Sequence, residues 1–209
     1  MGQFFQIHAE NPQLRLVKQA VDIIRQGGVA VYPTDSSYAL GCQLGNKAAV
    51  DRIRLLRRLD DKHNFTLVCR DLSQLGEYAK VDTSAFRLLK AHTPGPYTFI
   101  LDATREVPRM LLHPKRRTIG LRVPDNPIAQ ALLAELGEPL MSVSLILPGD
   151  EHPMSDPYEI RDRLEKLVDL IIDGGYGSLE ASTVISLVGG EPEVLRVGCG
   201  DPEPFMEPA

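Results

Sequence analysis

The chain has 209 residues, 43% of them apolar, and a formal net charge of −5. That is enough length and apolar content for one large domain with an ordinary buried core. No stretch approaches the roughly 18–20 continuous apolar residues of a membrane span, and the acidic balance excludes a surface covered throughout by nucleic-acid-binding cations.

Helix and strand patterns alternate along the chain. Asn11 is a suitable N-cap and Pro12 fits a first helical position. Leu14, Val17, Ala20, Val21 and Ile24 then share a helical face, and Gly27-Gly28 ends the helix. A strand over 29–32 runs into Pro33, which cannot donate to a β-ladder. Thr34, Asp35, Ser36 and Ser37 follow, a turn of small polar side chains at the carboxyl end of a strand. Such turns build small-molecule sites in α/β folds, and a plain surface turn explains the same residues. A helix is expected over 46–58 with Ile53 and Leu56 inward, then a strand over 65–69. Asp82 caps a helix over 84–90. Strands follow over 97–101 and 118–123, a helix opens at Asn126-Pro127 and runs to Leu136, and a strand covers 140–144. Asp156-Pro157 opens a helix to about Lys166, and strands over 170–173, 183–187 and 194–196 close the pattern. The expectation is a single α/β domain over 1–209. Its adjacent late strands imply a mixed sheet with antiparallel pairs. The Pro-rich acidic tail from about 201 reads as irregular.

MGQFFQIH lacks the basic start and apolar run of a signal peptide, and Gln6 stands where myristoylation requires Ser or Thr. A cytoplasmic location with no membrane association is therefore expected. Cys42, Cys69 and Cys199 are odd in number and far apart, so buried free thiols are expected rather than disulfides. The five histidines lack metal-ligand spacing.

Charge is unevenly distributed. Residues 52–122 carry a net of +8 and the remainder −13. One basic face would suit a polyphosphate or a nucleic acid, unless the charges are spread over solvated helices. There is no GxxxxGK[ST], GxGxxG or GxSxG, so a nucleotide site would be built by other means. Arg52, Arg54, Arg57 and Arg58 offer guanidinium forks suited to phosphate, or pair with Asp60 and Asp61. Lys115-Arg116-Arg117 precedes a strand in which Thr118, Gly120 and Arg122 share one face. An arginine in so apolar a strand requires an anion, either a ligand or an internal partner such as Asp125. Ser142 and Ser144 alternate onto one face. Ser182-Thr183 enters a strand, and Arg196 precedes Gly198-Cys199-Gly200.

Taken in order, the helix from Asn11-Pro12 to Gly27-Gly28, then YPTDSSYALG, NFTL, TPGPYT, TIGLRVP, SVS, DGG, Ser182-Thr183 and Leu195-Arg196, resemble the YrdC-like superfamily, and within it the YciO branch. The resemblance covers about residues 10–200. It implies a twisted open mixed sheet flanked by helices, with a basic concave face. Synthase members make threonylcarbamoyl-AMP from L-threonine, bicarbonate and ATP with Mg²⁺, for the threonylcarbamoyladenosine modification of tRNA. The threonine amine captures bicarbonate as a carbamate, whose oxygen attacks the α-phosphorus of ATP and expels pyrophosphate. Positioning and charge neutralisation carry such chemistry. The resemblance assigns Thr34, Arg122 and Ser182 to threonine, and Arg57, Arg58, Thr118, Ser144 and Arg196 to the nucleotide. The protein supplies no metal ligand, and Mg²⁺ enters with ATP.

The chain departs from the synthase pattern. Arg57 stands where synthases carry a lysine, with Leu59 for the following arginine, although Arg58 could shift into either role. Ile146 replaces an asparagine, and Cys69 a threonine-contacting histidine. Two readings follow. One is an enzyme of the nucleotidyltransferase class binding L-threonine and ATP or an acyl-adenylate, with weak or divergent threonylcarbamoyl-AMP synthase activity. The other is a module binding double-stranded RNA through Arg54, Arg57, Lys115, Arg116 and Arg117, with little or no catalysis.

Overall fold

The computed structural model describes residues 1–60 and 63–206. Asp61, one expected partner of the basic helix, lies outside the described residues. The strands are β1 (Gln3–Gln6), β2 (Ala30–Tyr32), β3 (Ala39–Gln43), β4 (Thr66–Val68), β5 (Tyr97–Asp102), β6 (Thr118–Arg122), β7 (Leu140–Ser144), β8 (Leu170–Asp173), β9 (Thr183–Ser186) and β10 (Glu193–Arg196). They form one ten-stranded sheet in the order β1-β8-β2-β3-β7-β4-β6-β5-β9-β10. Parallel pairs (β1–β8, β2–β8, β4–β6, β5–β9) mix with antiparallel ones, as the short late strands implied. The helices are α1 (Leu14–Arg25), α2 (Lys47–Arg57), α3 (Leu72–Tyr78), α4 (Thr83–His92), α5 (Pro127–Leu136) and α6 (Pro157–Leu164). Asn46, Asp82, Asn126 and Asp156 cap their helices by accepting backbone N–H bonds.

Strand alternation sends side chains to two cores. On one face Leu40, Leu67, Phe99, Leu121 and Met141 pack with Val50, Ile53, Leu75, Leu89 and Ile160. On the other, Tyr32, Ala39, Leu140, Leu170 and Ile172 pack with Val17, Val21, Ile24, Ile128 and Leu132 of α1 and α5. The core beneath these two helices takes side chains from β8, β2 and β3 and reaches Leu140 of β7 and Val68 of β4. Beyond it, β4, β6, β5, β9 and β10 present Thr66, Gly120, Thr98, Ser182 and Arg196 to a cleft. The cleft lies on the part of the sheet that α1 and α5 leave bare.

Several expectations are corrected. Asn11-Pro12 does not start α1. The imidazole of His8 accepts the N–H groups of Glu10 and Asn11, closing a separate turn, and Gln13 is the N-cap without a side-chain bond. Leu14 is then 61% exposed rather than inward. β1, β3 and α3 were not foreseen. β3 is buried almost throughout and shows no polar alternation, while α3 is a two-turn helix set by its Asp71 cap. The tail is not wholly irregular. Phe205 is buried, with ring centroids 4.6 Å from His92 and 5.4 Å from Tyr97. Among the described residues no helix is long and apolar enough to cross a membrane.

Cys42 and Cys69 are fully buried free thiols, but Cys199 is only half-buried. Burial pushes the Cys42 thiol up to about 12 and raises Cys69 as well. A thiolate reagent is therefore expected to label Cys199 alone in the native protein and all three cysteines after unfolding. Intact-mass measurement distinguishes one adduct from three, and native labelling of Cys42 or Cys69 would contradict the packing.

Candidate functional site

The cleft encloses about 470 Å³. Its floor is β4, β5, β6 and β9, where Thr66, Thr98, Gly120 and Ser182 keep the surface low and polar. A Cβ at Gly120 would stand 2.8 Å from Thr66 Oγ1. Beside the floor, Ser142 of the wall has its Oγ 2.7 Å from Tyr32 Oη, and burial raises the phenol to about 12. Thr98 Oγ1 and Ser182 Oγ are likewise 2.7 Å apart.

At one end stands Arg122, 6% exposed. Its Nη2 donates to a carboxylate oxygen of Asp35, to Ser36 Oγ at 2.9 Å and to Thr34 Oγ1 at 3.3 Å. The other Asp35 oxygen accepts the Asp125 N–H at 2.9 Å. The internal partner of Arg122 is thus Asp35, not Asp125, because Asp125 contributes only its backbone. The turn after Pro33 grips one nitrogen of the guanidinium. Arg122 Nε is buried without a partner, on a side chain that lines the cleft.

At the other end stand Arg57 and Arg196. Arg57 closes α2, and its Nη1 donates to the Ser144 carbonyl at the end of β7, with Nε buried and unpaired. Arg196 donates twice to the Ser182 carbonyl, at 2.8 and 3.2 Å. Among the described residues neither forms an ion pair, since both are anchored on carbonyls. Burial, then Arg196, lowers the Arg57 pKa; burial, then Arg122, lowers that of Arg196. Asp60, His63 and Asn64 also line this end, and the Asn64 Oδ1 is buried without a partner. Among the described residues no group of three or more His, Cys, Asp or Glu could hold a metal.

The structure brings Arg57, Arg122, Ser144, Ser182 and Arg196 together and leaves other expected site residues elsewhere. Arg58, the left-handed C-cap of α2, lines a separate shallow hollow with Leu55 and Leu59. Thr34 stands behind Arg122, its hydroxyl donating to the Ser37 carbonyl at 2.7 Å. Thr118 is buried at the start of β6, opposite Asp102 and outside the wall. Arg54 donates to the Met110 carbonyl and lies over the Phe65 ring. Lys115, Arg116 and Arg117 are exposed on the loop before β6, outside the cleft wall. Ile146 does line the cleft, whereas Cys69 faces the opposite core. His63, Asn64, Thr66 and Thr98 were missed. Thr66 and Thr98 are each the one small polar residue facing the cleft from β4 and β5, with apolar Val68 and Ile100 two residues on, so no alternation marked them.

A mixed sheet with one bare half-face under three arginines is the architecture of an α/β domain suited to anionic ligands. More particularly, residues 22–198 match the Sua5/YciO/YrdC family model, described as telomere recombination, and the chain belongs to this family. It is 62% identical over 206 residues to a protein called YciO from Escherichia coli K12, covering 99% of this chain and all of that one. The crystal structure of E. coli YciO matches with a TM-score of 0.96. A threonylcarbamoyl-AMP synthase from Vibrio vulnificus YJ016 is 30% identical over 164 residues, covering 77% of this chain and 87% of its own. The crystal structure of P. abyssi Sua5 complexed with L-threonine matches at 26% identity and a TM-score of 0.86, over 94% of this chain and 57% of that one.

Proposed function

We propose that the cleft binds L-threonine at the Arg122 end and the phosphates of ATP, or of an acyl-adenylate, at the Arg57 and Arg196 end. On this reading it carries out threonylcarbamoyl-AMP synthase-like chemistry, slowly. The observation that supports this most is the grading of charge along the cleft. Arg122 is already neutralised by Asp35, and its remaining nitrogens suit a single carboxylate. Arg57 feels the Arg196 charge, and among the described residues neither has a carboxylate partner, which suits a group carrying two or more negative charges. The relatives named as synthases and the threonine-bound Sua5 support the same substrates.

Threonine at Arg122 would direct its amine along the floor, where capture of bicarbonate gives a carbamate facing the α-phosphorus. Thr34 holds Arg122 rather than the ligand. Mg²⁺ would arrive on the ATP phosphates. Ile146 and Leu59 supply no hydrogen bond where synthases have donors, so turnover is expected to be low.

The test is a thermal-shift panel with ATP, L-threonine, both together, and a duplex RNA, combined with pyrophosphate release. Threonine and ATP are expected to stabilise the protein. Arg122→Lys, which retains a charge beside Asp35 but loses the fork, is expected to weaken threonine at least about tenfold with little effect on ATP. Arg57→Gln is expected to do the reverse. Stabilisation by RNA alone would favour the RNA-binding reading, which rests on the exposed Lys115–Arg117 loop, and would overturn this one.

A further inference from the structure

The ring of His63 lines the cleft at the Arg57 end, edge-on to Phe65 with centroids 5.7 Å apart. Its backbone N–H donates to the Asp60 carbonyl at 3.3 Å, fixing the residue at the exit of α2. Among the described residues neither ring nitrogen makes a hydrogen bond. We propose that His63 is a third ligand-contacting residue of the phosphate end, and that it takes up a proton when a polyphosphate binds between Arg57 and Arg196. This rests on the phosphate half of the reading above.

The argument is one of field and donors. Among the described residues, the charged groups acting on the ring are Arg54 and Arg57 from α2, Asp60 from the connection that follows, and Arg196 from β10. Burial in the wall, with three of these four groups cationic, disfavours the imidazolium. Burial first, then Arg57, push its pKa down to about 4. A polyphosphate seated between the arginines reverses the field at the ring. A neutral imidazole offers one donor, while imidazolium offers two charge-assisted donors to phosphate oxygens. The empty cleft thus avoids a further uncompensated cation, and the loaded cleft gains one.

Bound protein would carry more protons than free protein, so polyphosphate affinity should rise as pH falls. If the bound imidazole returns to an ordinary pKa, the wild-type affinity should rise about tenfold more than that of His63→Gln between pH 7.5 and 5.5. Inorganic tripolyphosphate is the probe, since it has no base or sugar. Both proteins meet the same ligand protonation, so their ratio isolates His63. A second readout is ¹⁵N-histidine NMR of the full chain at pH 7. The His63 nitrogens, assigned by their loss in His63→Gln or in the ring-retaining His63→Phe, should move to imidazolium shifts at saturation while the other histidines stay. A ring that remains neutral at saturation, or a variant that follows the wild-type pH dependence, would overturn the proposal while leaving the phosphate reading intact. A wild type that binds no tripolyphosphate would overturn both.

Discussion

Asp35→Ala is expected to cost about 3–5 kcal/mol of stability, the scale for stripping one partner from a buried ion pair. The pair is well shielded, with side-chain exposures of 7% for Arg122 and 10% for Asp35, so solvent does not screen it as it would a surface pair. Without the carboxylate, the guanidinium would be left with Ser36 and Thr34, two neutral acceptors, and an already unpaired Nε. The Asp125 N–H would also lose its acceptor, loosening the chain between β6 and the Asn126 cap of α5. Asp35→Asn retains the shape and an acceptor oxygen but not the charge, and is expected to fall between alanine and wild type. Urea unfolding is the measurement: the midpoint should fall with the slope unchanged. A loss below about 1 kcal/mol, the range of an exposed pair, would place the turn in solvent and remove the basis for Arg122 as a carboxylate receptor. Threonine affinity should fall in Asp35→Asn even where the variant remains folded, because the fork would no longer be held in one rotamer.

This contact also marks the limit of what was legible in the sequence. Most of the strand patterns, the helix starts at Asn46, Asp82, Asn126 and Asp156 and the alternation of Thr118, Gly120 and Arg122 are local, and local pattern carried them. Asp35 and Arg122 are 87 residues apart. No spacing rule connects them, and the nearer carboxylate, Asp125, was the natural candidate. The same holds for the cleft wall. Arg57 and Arg58 are neighbours with equal chemistry, and only the left-handed turn at Arg58 decides that Arg57 reaches Ser144 while Arg58 turns away. Thr34 was a hydroxyl of the expected type in the expected motif, yet its bonds lie within the protein, and Thr118 is buried outside the cleft wall. Sequence pattern places residues on a face. Whether that face is covered depends on α1 and α5, whose extent over the sheet is a tertiary property.

Gly198→Ala is expected to be the most damaging single methyl at the phosphate end. Its Cβ would collide with the Ala181 carbonyl oxygen and stand 2.8 Å from that of Ser182, both backbone atoms that no side-chain rotation can clear. The segment after β10 must then lift from the start of β9. Two bonds go with it, Gly198 N–H to Thr183 Oγ1 at 2.9 Å and Cys199 N–H to the Ala181 carbonyl at 2.9 Å. Overpacking together with two lost hydrogen bonds gives a cost of about 2–4 kcal/mol. The effect should not stop at stability. Arg196 is held by the Ser182 carbonyl, and Ser182 by Thr98, so displacing this strand pair moves a guanidinium and a hydroxyl of the cleft together. In the fraction that remains folded, tripolyphosphate affinity should drop severalfold by calorimetry, while threonine, whose proposed receptor is Arg122, should bind nearly as in wild type. Gly76→Ala provides the contrast. Gly76 lies within α3 with nothing within 4 Å of its would-be Cβ, so the same methyl should stabilise by up to about 1 kcal/mol. Equal behaviour of the two variants would mean that β10 is not pressed against β9, and Arg196 would then lose its place in the cleft.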